Sequence, residues 1–271
     1  MLIVTALRGV RDPQYRDRVL ERVGFTRLKC ARSPIWVHAA SVGEVQAAIP
    51  LIKRLLNNIE QRPVLVTTTT PTGAARVSAV FAQQVQHAYL PYDTADAVHR
   101  FLKRIQPQCL VIIETELWPN LLKACVAQKI PVTLASARIS ARTAARYHYL
   151  RQLFSDVLPQ VAVVAQTSED AERYYKLGAL PERTQVAGNL KFDIEVDQAT
   201  IALGQHLKAA LHARPVWIAG STHAGEEEQV LQAHRQVLAH QPDALLILVP
   251  RHPQRFAQVA QWLTAQPFKF V

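Results

Sequence analysis

Short apolar runs alternate with longer amphipathic stretches through most of the chain. Six of the runs begin at Ile35, Val64, His87, Cys109, Val132 and Val161. Most of the stretches between these runs place apolar residues at helical spacing. The run Cys109–Ile113 is apolar throughout, which is typical of a strand covered on both faces. This alternation predicts a complete, doubly wound parallel α/β sheet over residues 34–195.

A second series of elements follows residues 188–197, which show no clear period. It holds two apolar runs, Val216–Gly220 and Leu245–Val249, each followed by a predicted helix. Two strands are too few for an independent sheet with helices on both faces. The pattern therefore predicts the first part of a second Rossmann-like lobe over residues 198–271. We expect a C-terminally truncated chain whose second lobe is loosely held or docks on the first lobe.

Positive charge is concentrated near the N-terminus. The chain has 31 Lys and Arg against 21 Asp and Glu, a net charge of +10, and residues 1–33 hold eight basic and three acidic residues behind an apolar tip, Met1–Leu7. This pattern favours a membrane-proximal segment that contacts an anionic surface, with a solvated basic helix as the alternative. No nucleic-acid-binding motif accompanies the charge, so no nucleic-acid partner is expected.

Several function classes are excluded by what the sequence lacks. No internal apolar run approaches the roughly 20 residues of a membrane span. The cysteines Cys30, Cys109 and Cys125 form no CxxC pair, which argues against a structural metal site and fits a reducing cytosol. There is no Walker A loop or GxGxxG fingerprint, which argues against nucleotide hydrolysis and nicotinamide chemistry, and there is no HExxH motif or nucleophile elbow. No cofactor is expected.

Two loops of the first lobe carry carboxylates where a predicted strand ends. In open α/β sheets, ligands bind beyond the carboxyl ends of the strands. Glu44 follows the first strand and opens the next helix, where it would act either as a general base or simply as a stabilising first-turn carboxylate. Glu114 and Glu116 follow the apolar strand beside Trp118. They point to chemistry, although one of them could pair with a basic loop.

Three further positions are candidates for binding anions. Lys191 lies in the break between the two series, where it would meet a ligand or remain a solvated linker residue. Ser221 follows a strand and precedes a helix, a position that suits phosphate but that also suits an ordinary N-cap. Arg251, after the next strand, can meet a phosphate in bidentate geometry.

Six motifs in order carry a resemblance to a known family. They are His38–Glu44, Thr67–Gly73, Tyr89–Asp93, Glu114–Asn120, Asn189–Asp193 and Val249–Pro253. Together they closely resemble the 3-deoxy-D-manno-octulosonic acid (Kdo) transferases of Gram-negative bacteria, from about residue 9 to the last residue.

The resemblance implies a two-lobe glycosyltransferase B-type fold. Residues 34–195 would form the acceptor-side lobe and residues 198–271 part of the CMP-sugar-binding lobe. The implied reaction moves Kdo from CMP-Kdo to the lipid A precursor, lipid IVA, in lipopolysaccharide core biosynthesis. It would invert the anomeric centre, need no metal, and take place at the cytoplasmic face of the inner membrane.

The resemblance also assigns roles to individual residues. Glu44 matches the family's proposed proton acceptor, and Glu116 and Lys191 match positions assigned to transition-state stabilisation. Pro250 and Arg251 match CMP-binding positions, and we place Ser221 in the same pocket.

Three departures from the family pattern affect these expectations. Only Met1–Leu7 could correspond to a membrane anchor, a glycine-rich Gly-Gly-His-Asn segment is missing, and Ser136 stands where relatives often have Asn. The alternatives are therefore a catalytically impaired, membrane-associated remnant of the family, or another sugar-nucleotide transferase or epimerase on the same fold.

Overall fold

The computed structural model describes residues 13–28, 33–58, 62–149, 151–193, 196, 198–212 and 214–269. The chain divides into two compact units, the first ending at Glu195 and the second beginning at Val196. The apolar tip, Met1–Leu7, and four of the basic residues of the N-terminal segment lie outside the described residues. No helix in the described part of the chain is long and apolar enough to cross a membrane.

The first unit is built on a parallel sheet of seven strands with the order β3-β2-β1-β4-β5-β6-β7. The strands are β1 Ile35–His38, β2 Val64–Thr68, β3 Gln86–Tyr89, β4 Cys109–Ile113, β5 Val132–Ala137, β6 Ala162–Ala165 and β7 Thr184–Val186. The predicted doubly wound sheet is confirmed. The sequence analysis missed β7, a three-residue edge strand with no apolar run.

Seven α-helices in the described residues of this unit flank the sheet. They are α1 Val19–Arg22, α2 Val42–Asn58, α3 Pro71–Phe81, α4 Ala95–Ile105, α5 Pro119–Ala127, α6 Ala141–Tyr149 and α7 Ser168–Leu177. A short 3-10 turn, Leu190–Asp193, follows β7 and packs against α2. This turn brings the end of the unit back to the helix that begins after β1.

The core lies on both faces of the sheet because successive side chains of a strand point to opposite sides. Trp36 of β1 belongs to one cluster, which includes Phe101 of α4, and its neighbour Val37 belongs to the other, which includes Ile52 of α2 and Phe81 of α3. Helices α2 and α4 therefore cover opposite faces. This double coverage explains why the central strands are apolar throughout.

The described part of the basic N-terminal segment packs on the first unit. Arg22 is only 3% exposed, donates a hydrogen bond to the carbonyl of Thr69 at 3.0 Å, and lies 4.0 Å from the ring centre of Tyr89. Gly24 has a φ of +90°, and a Cβ there would overlap the carbonyl oxygen of Ala97. Only glycine lets the chain approach α4 this closely.

The second unit contains a two-stranded parallel sheet and three α-helices in its described residues. The elements are α8 Gln198–Ala210, β8 Val216–Thr222, α9 Glu226–His240, β9 Leu245–Pro250 and α10 Phe256–Thr264. Its apolar side chains are largely exposed, including Leu203 at 70% and Ile218 at 63%, and few are buried. The predicted strands and helices are present, with little core between them.

Candidate active site

The carboxyl ends of β1 and β4 bring the carboxylate-bearing loops together. The two strands are neighbours in the sheet, and His38 is paired with Ile112. The loop after β1 leads into α2 and Glu44, and the loop after β4 carries Glu114 and Glu116. Since both strands point the same way, both loops emerge at the same edge of the sheet, as the sequence predicts.

Glu44 is held by the loop that precedes it. Its carboxylate accepts hydrogen bonds from the backbone N–H of Ala40 and, at 3.3 Å, from the hydroxyl of Ser41. The Ser41 hydroxyl in turn lies 3.4 Å from the Glu44 backbone nitrogen, an arrangement close to a capping box. The carbonyl of Ala40 accepts a hydrogen bond from the backbone N–H of Thr69 at 2.9 Å, which ties the loop after β1 to the loop after β2.

The environment of Glu44 favours its protonated form. Burial raises the pKa of Glu44 from 4.5 to about 7, and the negative charges of Glu116 and, less strongly, Glu114 act in the same direction. The hydrogen bonds from Ala40 and Ser41 oppose the shift but are outweighed. Glu44 is therefore close to half ionised at neutral pH, which suits a group that must both accept and release a proton.

Lys191 pairs with Glu114. The Lys191 ammonium lies 2.6 Å from Glu114 Oε1, and the Glu114 side chain is 14% exposed. Glu114 has a left-handed backbone, with φ of +61°, while its N–H still donates to the carbonyl of Ala135 at 3.0 Å. A non-glycine residue in this conformation is strained, and such strain concentrates at functional sites. The sequence left open whether Glu114 or Glu116 pairs with a basic loop, and in the structure Glu114 makes that contact.

Glu116 has no ion-pair partner among the described residues. It is partly buried, and burial raises its pKa. Its charge also raises the pKa values of Glu44 and Tyr147, which places it within electrostatic reach of both. Lys191 is paired with Glu114, so the cluster carries more negative than positive charge. Burial raises the pKa of both Glu44 and Glu116, and the charge of Glu116 raises the pKa of Glu44 further.

A network of side-chain hydrogen bonds, which we call the Ser136 brace, holds the turn that carries Lys191. The Ser136 hydroxyl accepts hydrogen bonds from the Leu190 N–H at 3.3 Å and from the Gln166 amide at 3.1 Å. Asn189 donates to Gln166 at 3.2 Å and accepts from the N–H of Lys191 at 2.9 Å. Ser136 has a φ of +54°, where β5 loses register with β6. The serine that departs from the family pattern therefore positions this turn.

Two more of the sequence motifs join through Asp93. Its carboxylate accepts hydrogen bonds from the backbone N–H groups of Asn120 at 3.1 Å and Leu121 at 2.8 Å, at the start of α5. The Asn120 side chain returns a hydrogen bond to the Asp93 carbonyl at 2.6 Å. These hydrogen bonds cap the start of α5 and fix the point at which the loop after β4 ends. They therefore restrict the position of Glu116, which lies in that loop.

His38, the first residue of its motif, lies inside the first unit. It is fully buried, and its Nδ1 lies 2.9 Å from the Thr67 hydroxyl. Burial lowers its pKa to about 4, and the ring is therefore neutral near pH 7. The aromatic Trp36 also donates to the Thr67 hydroxyl, at 2.8 Å. One threonine thus satisfies two buried groups of β1.

The second unit brings together its own three predicted residues. Thr222 is paired with Pro250, and the N–H of Arg251 donates to the Thr222 carbonyl at 2.9 Å. Ser221, in a left-handed conformation, and Arg251 are both exposed at this end of the small sheet. The three predicted positions, Ser221, Pro250 and Arg251, therefore share one edge.

The start of α9 is occupied by acidic side chains. Glu226 accepts from the N–H of His223 at 2.7 Å, and Glu227 forms an ion pair with Arg255 at 2.9 Å and a hydrogen bond with Thr222. These carboxylates oppose an anion at the helix N-terminus. Phosphate binding in this unit would therefore depend on Arg251 rather than on the helix dipole. The sequence Glu226–Glu228 already carried this signal.

No group of three or more His, Cys, Asp or Glu side chains in the described residues could hold a metal ion.

The family model described as 3-Deoxy-D-manno-octulosonic-acid transferase (kdotransferase) matches residues 17–194. The chain belongs to the Kdo transferase family. The match covers the first unit almost completely, including Glu44, Glu114, Glu116 and Lys191, and it confirms the family expected from the six motifs.

Curated relatives extend the similarity into the second unit. The 3-deoxy-D-manno-octulosonic acid transferase of Haemophilus influenzae is 40% identical over 275 residues, which cover 100% of this chain and 64% of the relative. The enzyme of the same description from Bordetella pertussis is 41% identical over 242 residues, covering 86% of this chain and 55% of the relative. The chain thus spans between about half and two thirds of the length of these glycosyltransferases.

Solved structures show the fold. The UDP-GlcNAc 2-epimerase of Neisseria meningitidis, solved with UDP-GlcNAc, has a TM-score of 0.57 at 14% identity and covers 88% of this chain and 73% of that structure. The enzyme of the same description from Methanocaldococcus jannaschii has a TM-score of 0.56 at 11% identity, with coverages of 86% and 71%. The glycosyltransferase B-type fold class expected from the sequence is confirmed.

Proposed function

We propose that the first unit carries the catalytic centre of an enzyme that transfers Kdo from CMP-Kdo to the lipid A precursor with inversion. The observation that carries this proposal is Glu44, a part-buried carboxylate with a pKa of about 7, held beside Glu114, Glu116 and Lys191 at the carboxyl edge of the sheet. Membership of the Kdo transferase family supports the chemistry.

Glu44 is the general base of the proposed reaction. A sugar hydroxyl of the acceptor is a poor nucleophile until its proton is removed during attack, and a placed base accelerates such a step by about 10²- to 10⁴-fold. The hydroxyl oxygen forms a bond to the anomeric carbon of Kdo and its proton passes to Glu44. The bond from that carbon to the phosphate oxygen breaks, and CMP departs with the bonding electrons. Attack opposite the leaving group inverts the anomeric centre.

Glu116 and Lys191 stabilise the charges that develop in this step. The anomeric carbon becomes positive as CMP leaves, and the carboxylate of Glu116, which has no ion-pair partner among the described residues, favours that charge. The Lys191 ammonium offsets either the Kdo carboxylate or the departing phosphate. Glu114 holds Lys191 in place through their 2.6 Å ion pair. The site then needs no metal or cofactor, because its own side chains supply the base and both counter-charges.

The second unit would bind the CMP moiety of the donor. Pro250 is the last residue of β9, Arg251 follows it, and Ser221 lies near the end of the neighbouring strand β8. An exposed guanidinium can engage a phosphate through two hydrogen bonds. The proposed setting is the cytoplasmic face of the inner membrane, where the acceptor presents its phosphates and the chain's net charge of +10 favours an anionic surface.

The test is the Glu44→Gln variant of the complete enzyme, assayed for Kdo transfer and for CMP binding. We expect transfer to fall by at least about 10²-fold, because the amide cannot accept the proton, while CMP affinity stays within twofold. The matched control is Glu169→Gln, the same change in the first turn of α7, which should leave transfer unchanged. Loss of CMP binding together with transfer would show that Glu44 is structural.

The donor specificity is tested separately. We expect transfer from CMP-Kdo and none from UDP-N-acetylglucosamine under the same conditions. Transfer from the UDP-sugar would favour another sugar-nucleotide transferase on this fold.

The role of Lys191 has its own test. Unchanged transfer in a Lys191→Met variant would contradict the role given to that residue.

A further inference from the structure

Arg22 of α1 is a buried cation without an ion-pair partner among the residues that the structure describes. Two of its guanidinium nitrogens, Nε and Nη2, are shielded from solvent and have no hydrogen-bond partner in that part of the chain. Burial lowers the pKa of the guanidinium but leaves it protonated at neutral pH. A buried charge without an ion-pair partner costs free energy, which makes Arg22 unusual for a residue that only fills space.

The surroundings of Arg22 hold it in one place. The guanidinium lies over the ring of Tyr89, a cation–π contact that offsets part of the cost of burial. The Arg22 carbonyl accepts a hydrogen bond from the N–H of Tyr92 at 2.7 Å. The carboxylate of the neighbouring Glu21 accepts one from the N–H of Tyr89 at 2.9 Å. The end of α1 is therefore fixed to the end of β3 and to the loop that follows it.

The hydrogen bond that the guanidinium does make leads to Glu44. Arg22 Nη1 donates to the Thr69 carbonyl at 3.0 Å. The N–H and the hydroxyl of Thr69 each donate to the Ala40 carbonyl at 2.9 Å. The N–H of Ala40 in turn donates to the Glu44 carboxylate. At Thr69 and at Ala40 the N–H and the carbonyl belong to adjacent rigid peptide planes, so this connection fixes positions from one loop to the next.

We propose that Arg22 is a positioning residue for Glu44, an inference that rests on the proposed function. By holding the Thr69 carbonyl, Arg22 fixes the loop after β2. That loop holds the Ala40 N–H within hydrogen-bonding distance of the Glu44 carboxylate. The hydrogen bond from Ala40 favours the ionised carboxylate, which is the form that can accept a proton from the acceptor hydroxyl.

Two observations favour this role over direct binding of an anionic substrate. The free nitrogens of Arg22 are shielded from solvent, so a ligand could reach them only if the N-terminal segment moved away. The charges that act on Glu44 most strongly are those of Glu116 and Glu114, and Lys191 is paired with Glu114. Arg22 therefore acts on Glu44 through the two loops rather than through its charge.

The test is the pH dependence of Kdo transfer by the complete enzyme carrying Arg22→Met. We expect the midpoint on the acid side to rise by about one pH unit, from about 7 to about 8. A hydrogen bond to a carboxylate lowers its pKa by about one to two pH units, and a loosened loop loses part of that effect. Arg22→Lys, which keeps a cationic donor at this position, should restore part of the shift.

The matched control is Arg100→Met. Arg100 also donates to a backbone carbonyl of the N-terminal segment, that of Val23 at 2.8 Å, but none of its hydrogen bonds leads to Ala40 or Thr69. We expect this control to keep the wild-type midpoint. Equal shifts in the Arg22 and Arg100 variants would show a general loosening of the segment and would overturn the proposal.

Thr69→Val tests the same connection without a change at Arg22. It removes the hydroxyl that donates to the Ala40 carbonyl and keeps the backbone N–H. We expect the midpoint to rise by about half a pH unit. A wild-type midpoint in Arg22→Met would overturn the proposal. Should that variant fail to fold, a wild-type midpoint in Thr69→Val would overturn it.

A second readout does not depend on transfer. Urea unfolding measures the stability gained on Glu44→Gln, once in the wild type and once in the Arg22→Met background. Because a carboxylate with a raised pKa costs stability up to that pKa, the gain should level off near pH 7 in the wild type and near about pH 8 in Arg22→Met. Levelling at the same pH would overturn the role of Arg22. Normal transfer by Glu44→Gln would instead overturn the proposed function, and this readout would still decide whether Arg22 positions Glu44.

Discussion

The Glu44→Gln substitution should stabilise the folded protein above neutral pH even as it removes the catalytic base. Glu44 is part-buried beside two other carboxylates, and its pKa is about 7 in the folded protein against an ordinary 4.5. Unfolding releases it into water, where it ionises freely. A raised carboxyl pKa therefore costs no stability below about pH 4.5, an increasing amount between 4.5 and 7, and the full amount above 7.

The magnitude follows from the pKa. Each pH unit between the folded and unfolded values corresponds to about 1.4 kcal/mol, so the full cost is about 3 kcal/mol. Partial solvent exposure of Glu44 and a weaker hydrogen bond from Ala40 to an amide both reduce the gain. We expect Glu44→Gln to raise the free energy of unfolding by about 2 kcal/mol at pH 8.5 and to leave it almost unchanged at about pH 4.5.

The assay is urea unfolding of wild type and variant across this pH range, followed by tryptophan emission, to which the fully buried Trp36 contributes. The difference in the free energy of unfolding between the two proteins reports on Glu44, because the other titrating groups are the same in both. The control is Glu169→Gln. The Thr167 side chain lowers the pKa of Glu169 below 4.5, so Glu169 is ionised in both the folded and the unfolded protein throughout this range, and the difference between this variant and wild type should stay nearly constant. A Glu44→Gln difference that does not change with pH would refute the raised pKa.

Three other perturbations test different parts of the structure. Gly24→Ala should cost at least about 3 kcal/mol in urea unfolding, because the new Cβ overlaps the carbonyl of Ala97 and φ is +90°; a smaller loss would mean that the segment packs loosely. Asp93→Ala should cost about 1–2 kcal/mol by removing the cap of α5, and Asp93→Asn should restore part of it. Lys191→Met should lower kcat by about 10²-fold with CMP binding retained, and an equal loss of CMP affinity would assign Lys191 to the donor pocket.

Much of the first unit could be predicted from the sequence because its strands are buried on both faces. A strand such as Cys109–Ile113 must then be apolar throughout, which makes it conspicuous between amphipathic helices. Strand β7, Thr184–Val186, escaped prediction because an exposed edge strand needs no such run. Its three residues are partly or fully exposed, and they are held by the ladder with β6.

The residues of the candidate site could be predicted from the sequence, but the contacts between them could not. The loops at the carboxyl ends of the strands identified Glu44, Glu116 and Lys191. The partner of Lys191 depends on the strained turn at Glu114 and on the Ser136 brace, neither of which leaves a local pattern in the sequence. The shifted pKa of Glu44 likewise arises from neighbours that are distant in the chain.

The basic N-terminal segment shows the limit of reading charge from sequence. A run of arginines suggests a solvated or membrane-facing surface, yet Arg22 is buried against Tyr89 and Arg18 lies 3.0 Å from the ring of His87. Only the fold separates these arginines, which pack on the first unit, from Arg27, whose side chain is exposed and makes no hydrogen bond or ion pair with the described residues.

The pH dependence of Kdo transfer by the complete enzyme tests the central claim most directly. With Glu44 as the base, the rate should fall on the acid side with a midpoint near pH 7, because protonation removes the acceptor for the hydroxyl proton. In Glu116→Gln the midpoint should move to lower pH, since the neighbouring negative charge that raises the pKa of Glu44 is gone. A rate that stays constant through pH 7 in the wild type, or a midpoint that Glu116→Gln does not move, would contradict the assignment of Glu44 as the base.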